Sequence, residues 1–437
     1  MKEVIAVFDI GKTNKKILLF DKELNVAFED SIIFKEIVDD DGDPCDDIEA
    51  IEKWIKDQVN TILDQGVFKI KAINFTTHGA TLMYLDKSGK RITALYNYLK
   101  PLDDFDFSKF YANHGGVEEF SRKTASPAYG MLNSGLQIYW LKYAKPYYWK
   151  KVDQILHYPQ YLSYLFAHKI TSDFTSLGSH TAMWDFDKME YHRWLAEENI
   201  SLPEPTDGKE VTFVNIKGNK IAIGSGLHDS SASLIPVLEK SGGKEFILLS
   251  TGTWIISMNP FSKEQITQFQ LKNNCLCYMT RNKHQVKSSM QFLGHLHQVN
   301  ALEISSYFDV DEHFFTQLSL NKELCKQSLF NEKKLFFPNG IEDDHKTDLS
   351  ILKSFSNSET AYYQLLFEIS HLVYKAIELI LDTENKLEDI YISGGFNKNQ
   401  LFVYYLSQLM PDKNIKISDV KNESALGAAL LMKDYLD

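Results

Sequence analysis

Short apolar runs closed by polar turns set the pattern of the chain from its first residues. Val4 to Phe8 leads into Asp9-Ile10-Gly11, a stretch rich in Lys, Thr and Asn follows, and Ile17 to Phe20 is apolar again. This alternation predicts a β-hairpin with an acid at the end of its first strand. A third strand is expected from Asn25 to Phe34, then an acidic loop from Asp39 to Asp47, a helix over Ile48 to Leu63, and strands near Ile70 to Phe75 and Leu82 to Leu85. The stretch from Ser134 to Phe166 reads as helical and is dense in Tyr and Trp, and strands are expected near Val211 and Ile221. A break at Ser241-Gly242-Gly243 separates this half from a second one. There the pattern recurs: a hairpin around Thr251-Gly252-Thr253, further strands, a long helix from Glu359 to Leu381, a strand from Ile390 to Ser393, a Gly394-Gly395 turn and a helix. Two similarly built α/β halves imply a cleft between them.

Three turns carry candidate chemistry. At the first, Gly11 lets backbone approach a phosphate, turn N–H groups point at its oxygens, and Thr13, Asn14 and Lys16 complete a cradle. Asp9 beside it suits a water of Mg²⁺, an ion that keeps several waters and uses few carboxylates. Thr251, Gly252 and Thr253 form a like hairpin in the second half. Gly394-Gly395, followed by a helix carrying Asn399, allows a flat ring or a phosphate to lie against backbone. Lys12 and Lys16 could add positive charge, though an exposed turn lysine is commonly only solvated.

In this order the motifs resemble those of the actin-like ATPase superfamily, and the chain looks like an FGGY-type carbohydrate kinase nearly end to end. DIGKTNKK stands where that family has its phosphate hairpin, with Lys12 in a place usually filled by a small or hydroxyl residue. THGATLMYLDKSGKRITALYNY resembles the sugar-contacting segment, GLHDSSASLIP the segment bearing the catalytic aspartate, and SGGFNKNQ and ESALGAALL the adenosine turn and final helix. STGTW is closest to the rhamnulokinase and fuculokinase branches. The resemblance implies two ribonuclease H-like domains, a sugar-binding one over 1–238 and an ATP-binding one over 239–437. It implies Asp229 as catalytic base, His78 and Gly79 as sugar contacts, and His228 beside the pocket. Asn97 and Gln160, neutral amides suited to polyols, are further candidates. Gln160 stands where many relatives have Asp, and Asn97 to Pro101 replaces an Asp-x-Arg stretch, so the acceptor could be a rhamnulose- or fuculose-type ketose or another compound such as xylulose, a polyol or a sugar acid. A regulator that binds sugar or nucleotide without catalysis is the reading from another class.

Each residue also has a plainer reading. Asp229 could simply cap the helix it begins. His78 could be a strand-end histidine bonded to backbone, and Asp9 could close a turn. Cys275, Cys277, His295 and His297 have alternation that could converge on zinc, but their spacing matches no closed site, and core cysteines with a surface histidine are expected instead.

Composition bounds the rest. The 437 residues suit two domains, and 44% apolar with 24% charged residues is usual for a folded chain. The net charge of −12 disfavours nucleic acid and anionic membrane. No apolar run approaches spanning length, and no secretory leader is read at the N-terminus. Four scattered cysteines point to a reducing cytoplasm. Aromatic residues reach 13%, enough for well-filled cores and for an aromatic homodimer interface.

Overall fold

Every residue from Val4 to Phe8 in the strand Lys2–Ile10 is fully buried, because both of its faces are covered. Val4, Ala6, Phe8 and Ile10 pack towards Ile51, Ile55 and Val59 of the helix Ile48–Gln65. Ile5 and Val7 pack on the opposite face against Ala425, Ala428 and Ala429. A strand covered on two sides needs a continuous apolar run, which is what the sequence shows. The helix itself is delimited by Asp47, whose side chain accepts from Ala50 N, and by Gly66 at φ 65°. Its five buried aliphatic side chains contribute about 1.5–3 kcal/mol each.

The computed structural model describes residues 1–102, 105–330, 334–341, 349–384 and 387–436. It holds two large sheets. In the first, Val26–Ile32, Lys15–Phe20 and Lys2–Ile10 run antiparallel in sequence. Phe68–Thr77 then lies parallel to Lys2–Ile10, and Asn219–Gly224 and Leu227–His228 lie parallel to Phe68–Thr77, with Val211–Ile216 at the edge. The second repeats that order: Gln285–Gln291, Ile255–Asn259 and Phe246–Thr251 are antiparallel neighbours, followed by parallel Asp389–Gly394 and Asn414–Ile417. Cys275–Met279 is added at its edge.

The chain passes from one sheet to the other through the helix Leu234–Lys240 and the left-handed residues Gly242 and Gly243. It returns at its end, where the helix Glu423–Leu430 packs on the first sheet. The continuous helical stretch expected over Ser134 to Phe166 is corrected to three helices, Ser134–Ala144, Pro146–Trp149 and Tyr158–Ala167. Between the last two, Gln154–His157 is a strand paired with Leu82–Leu85. Pro146 and Pro159 start helices rather than continue them, because each lacks a backbone N–H donor.

Candidate active site

Parallel pairing brings three strand ends to one edge of the first sheet. Asp9 lies opposite Thr76, and Leu227 and His228 lie opposite Thr76 and Thr77 on the other side. Asp9, His78 and Asp229 therefore converge although they are scattered along the chain. Ligands of open α/β sheets sit at such carboxyl ends. Thr76 Oγ1 donates to Asp9 at 2.8 Å. Burial raises Asp9 to about 6; the Thr76 bond opposes the shift, the Asp229 charge adds to it and Lys16 offsets part. Two partly buried carboxylates that resist ionising together form a donor set that a divalent cation would satisfy.

Asp229 begins the short helix Asp229–Ala232 but does not cap it; the cap position is His228, with no side-chain cap bond. The Asp229 carboxylate accepts from Ser230 N at 2.5 Å and Ser230 Oγ at 3.1 Å, and its side chain is 29% exposed. Burial raises its pKa, and His78 pulls it back. His78 Nδ1 lies 3.3 Å from the Ile10 carbonyl, and a proton assigned there leaves Nε2 as an acceptor for a hydroxyl. Burial holds His78 neutral, with a pKa near 4, despite the charges of Asp46 and Asp229. The rings of Tyr98 and Tyr158 flank it at 5.6 and 5.5 Å.

Several expected sugar contacts stand elsewhere. Gln160 is fully buried, and its Nε2 donates to Asp173 Oδ1, Ser225 O and Gly226 O at 3.0, 3.2 and 3.0 Å. Asp173 in turn accepts from Thr175 Oγ1, which accepts from His228 N at 3.0 Å. Through Nε2, Gln160 thus clamps the segment before Asp229, while its Oε1 is buried without a hydrogen-bond partner among the described residues. Asn97 donates to Pro44 O at 3.2 Å and accepts from Leu99 N at 3.0 Å, so it shapes a turn and the adjacent Tyr98 faces His78. Gly79 makes room for protein groups rather than a sugar ring: a Cβ there would lie 2.5 Å from Ser179 Oγ and 3.1 Å from His228 Nε2. His228 is 4% exposed, contacts Ser179, Ser231 and Asp229, and is held neutral by burial, near 3. It supports Asp229 from behind instead of lining the pocket.

On the nucleotide side, Thr251, Gly252, Gly395 and Asn399 line a cavity of about 620 Å³ with His297, Phe315 and Leu401. The Thr251 hydroxyl donates to Ser393 O and accepts from Phe396 N at 3.0 Å, so it ties the hairpin to the Gly-Gly turn and is spent on backbone. Gly394, at φ 81°, stands so close to Thr251 that a Cβ would meet its carbonyl at 2.0 Å. Asn399 caps the helix Gln400–Leu409 and donates to Tyr362 OH at 2.9 Å. Gly252 and Thr253 form the exposed hairpin tip, where Thr253 O accepts from His295 N. At the facing hairpin, Gly11 N donates to Asn14 O at 3.1 Å and Thr13 is exposed at the tip. Lys16 lies opposite Asp9 in the ladder and 3.8 Å from Glu29.

The zinc reading falls away. His297 Nε2 bonds Tyr362 OH at 2.9 Å, the four cysteines are free and buried, and among the described residues no Cys or His belongs to a group with ligand geometry. Asp39, Asp41 and Asp43 do form such a group, but the Lys100 ammonium sits among them at 2.6, 2.9 and 2.6 Å. Tyr98 and Asp46 near His78, and Tyr278, whose ring lies 5.4 Å from His228, are the site residues that sequence reasoning missed. Tyr278 comes from the second sheet, and no local pattern reports such an approach.

Comparison with known proteins narrows what this geometry serves. Residues 4–235 match the model of the N-terminal domain of the FGGY family of carbohydrate kinases. The chain is 26% identical over 259 residues to a rhamnulokinase of Halalkalibacterium halodurans, an alignment spanning 56% of this chain and about half, 52%, of that protein. It is 21% identical over 427 residues to a rhamnulokinase of Oceanobacillus iheyensis, covering 90% and 84% of the two chains. The crystal structure of a gluconate kinase from Lactobacillus acidophilus superposes with a TM-score of 0.79 at 16% identity, over 100% of this chain and 90% of that one. That likeness establishes the fold, two ribonuclease H-like domains of the actin-like ATPase kind.

Proposed function

Since the chain belongs to the FGGY family of carbohydrate kinases, we propose that it transfers the γ-phosphate of ATP to a hydroxyl of a small sugar, a ketose of the rhamnulose or fuculose type. The observation that carries this reading is the convergence of Asp9, His78 and Asp229 at one sheet edge, with a cavity of about 620 Å³ lined by Gly395 in the other half. Asp229 is the base: its partly exposed carboxylate, raised by burial, orients the attacking hydroxyl and takes its proton. His78 Nε2 accepts from a second hydroxyl and fixes the sugar's orientation. The backbone of the two hairpin tips, Gly11 to Asn14 and Gly252-Thr253, meets the phosphates from both halves, with Lys16 adding charge. Asp9 would hold Mg²⁺ through water; that ion would screen the phosphate charges. The adenosine would lie in the cavity beside Gly395 and Asn399. A cytoplasmic setting fits the four free thiols.

The test is ADP release with Mg²⁺-ATP across ketoses, aldoses, polyols and sugar acids, with Asp229→Asn beside the wild type. Acceptor-dependent turnover that falls about 10²–10⁴-fold in the variant is the expected result. ATP binding without turnover on any acceptor would replace this reading by that of a binding regulator.

A further inference from the structure

Both ends of one turn are tied to the acidic loop that follows the first three strands. Asn97 and Lys100 close the turn, with Lys100 N donating to Asn97 O at 3.0 Å. The Asn97 side chain donates to Pro44 O at 3.2 Å. The Lys100 ammonium donates to Asp39 and Asp43 at 2.6 Å each and stands 2.9 Å from Asp41. Its side chain is 2% exposed, and that of Asp39 is fully buried. The rings of Tyr96 and Trp140 face the ammonium at 5.5 and 5.8 Å, and the Tyr96 hydroxyl donates to Asp40 at 2.7 Å. A charge so deeply buried persists only when it is paired on several sides.

The loop has the form of a cation site whose cation belongs to the chain itself. Asp39, Asp41 and Asp43 alternate in sequence, Gly42 at φ 91° turns the backbone between the last two, and their carboxylate oxygens lie within 4.8 Å of one another. Asp39 Oδ1 accepts from Asp41 N and Asp43 N at 2.9 and 3.1 Å, which leaves its Oδ2 for Lys100. Alternate carboxylates on a tight loop are a usual way to surround a hard cation. Here an ammonium fills the centre with charge-assisted hydrogen bonds.

What the turn carries is Tyr98. Its ring stands 5.6 Å from that of His78 and is partly exposed, so one side faces open space. His78 follows Thr77, whose ladder partner His228 precedes Asp229. Tyr98 is therefore a wall of the space where an acceptor would meet His78 and Asp229. The next residue, Leu99, is 70% exposed and gives the turn no packing of its own, so its position depends on the bonds at its two ends. We propose that Lys100 is a positioning residue of the acceptor site: as the built-in cation of the loop Asp39–Asp43 it fixes the turn Asn97–Lys100, and through that turn the Tyr98 ring beside His78. The proposal rests on the kinase reading above and names the residue that sets the acceptor wall within it.

The experiment compares wild type with Lys100→Ala, Tyr98→Ala and the double variant in acceptor KM, ATP KM and calorimetric acceptor binding. It uses the acceptor panel above, beginning with L-rhamnulose and L-fuculose, and thermal melting checks folding. Each single variant should raise the acceptor KM about tenfold and leave the ATP KM within about twofold. The double variant should match the singles, because both remove the same wall. Asp43→Asn, at a carboxylate whose side chain is 29% exposed, loosens the lock more mildly and should raise the acceptor KM about threefold; it takes the place of Lys100→Ala in the cycle if that variant fails to fold. Ca²⁺ should bind Lys100→Ala and not wild type, and should bring acceptor affinity back towards the wild-type value. Single effects that multiply in the double variant would overturn the proposal while leaving the kinase reading intact. So would a Lys100→Ala variant that loses only melting temperature, that shifts both KM values alike, or that gains no acceptor affinity from Ca²⁺. Acceptor binding without turnover in wild type, weakened in the variants, would uphold the positioning role and sink the kinase reading. Absence of acceptor binding alongside intact ATP binding would sink both.

Discussion

Gln160 shows how one buried amide can govern a site it does not touch. It anchors Asp173, Ser225 O and Gly226 O just before the Leu227–His228 strand end and Asp229. Replacing it with Leu removes a donor from both carbonyls, at about 1–3 kcal/mol for each, while Asp173 keeps its bonds from Thr175 and Ser176. Gln160→Leu is expected to lower the melting temperature and to reduce kcat while the acceptor KM changes little, because Asp229 shifts and the sugar contacts stay. A rise in acceptor KM alone, with unchanged stability, would return Gln160 to the pocket. Asp229 has its own pH signature. Its pKa is raised by burial, so the acid limb of kcat should lie above the ordinary carboxylate range and activity should fall as pH drops through it. A limb at the ordinary value of 3.8 would contradict that. At this scale the sequence made Asp9, His78 and Asp229 legible, because motif and strand end coincide there. Gln160 and Asn97 read from sequence as sugar contacts, whereas the structure shows both side-chain N–H groups donating to backbone carbonyls, because an amide reads alike whether it meets a sugar or a carbonyl. Only the neighbours distinguish the two cases.

The elements differ in how far they could be read. The hairpin Lys2–Phe20 and the long helix, expected over Glu359 to Leu381 and observed over Ser358–Ile380, follow from periodicity and from caps such as Asn357. The Ser134 to Phe166 stretch resisted, because a four-residue segment with only Ile155 and Leu156 apolar suits strand and helix alike until a partner such as Leu82–Leu85 selects the strand. The final helix carries the element-scale prediction. A Cβ on Gly427 would stand 2.0 Å from the Ala232 carbonyl, in the turn directly after Asp229. Backbone cannot yield as a flexible side chain can. Gly427→Ala is expected to cost about 1–3 kcal/mol and to lower kcat by displacing the Asp229 helix. Guanidinium unfolding and steady-state kinetics on the variant check both parts, and wild-type values for both would show that the contact is slack.

Across the whole molecule, burial sets the response to acid. His157, His180, His192 and His297 are lowered from 6.5 to about 4, and His228 to about 3, chiefly by desolvation. Between pH 6.5 and 4 the unfolded chain binds protons that the folded one refuses, so their contribution is complete above pH 6.5 and is lost as pH falls. Asp9, raised from 3.8 to about 6, acts in the opposite sense over part of that window. Each pKa unit is worth about 1.4 kcal/mol, so these five histidines, with His78 lowered alike, outweigh Asp9 together with Asp229, whose carboxyl burial also raises. The melting temperature should fall by roughly 10 °C or more from pH 7 to pH 5; a flat profile would contradict the burial of these rings.

Within the molecule as a whole, the sequence by itself determined what is local: where backbone turns, which runs must be covered on both faces, and where glycines permit phosphate or ring to approach. These follow from sterics and hydrophobic periodicity within a few residues. Tertiary structure decided what depends on distance between segments. It placed Tyr278 of the second sheet on His228 of the first and closed the acidic loop around Lys100. It brought the last helix back onto the first sheet and paired Lys12 with Glu36 and Lys16 with Glu29. Charges and rings act over several ångströms of space, and that space is filled by residues far apart in the chain.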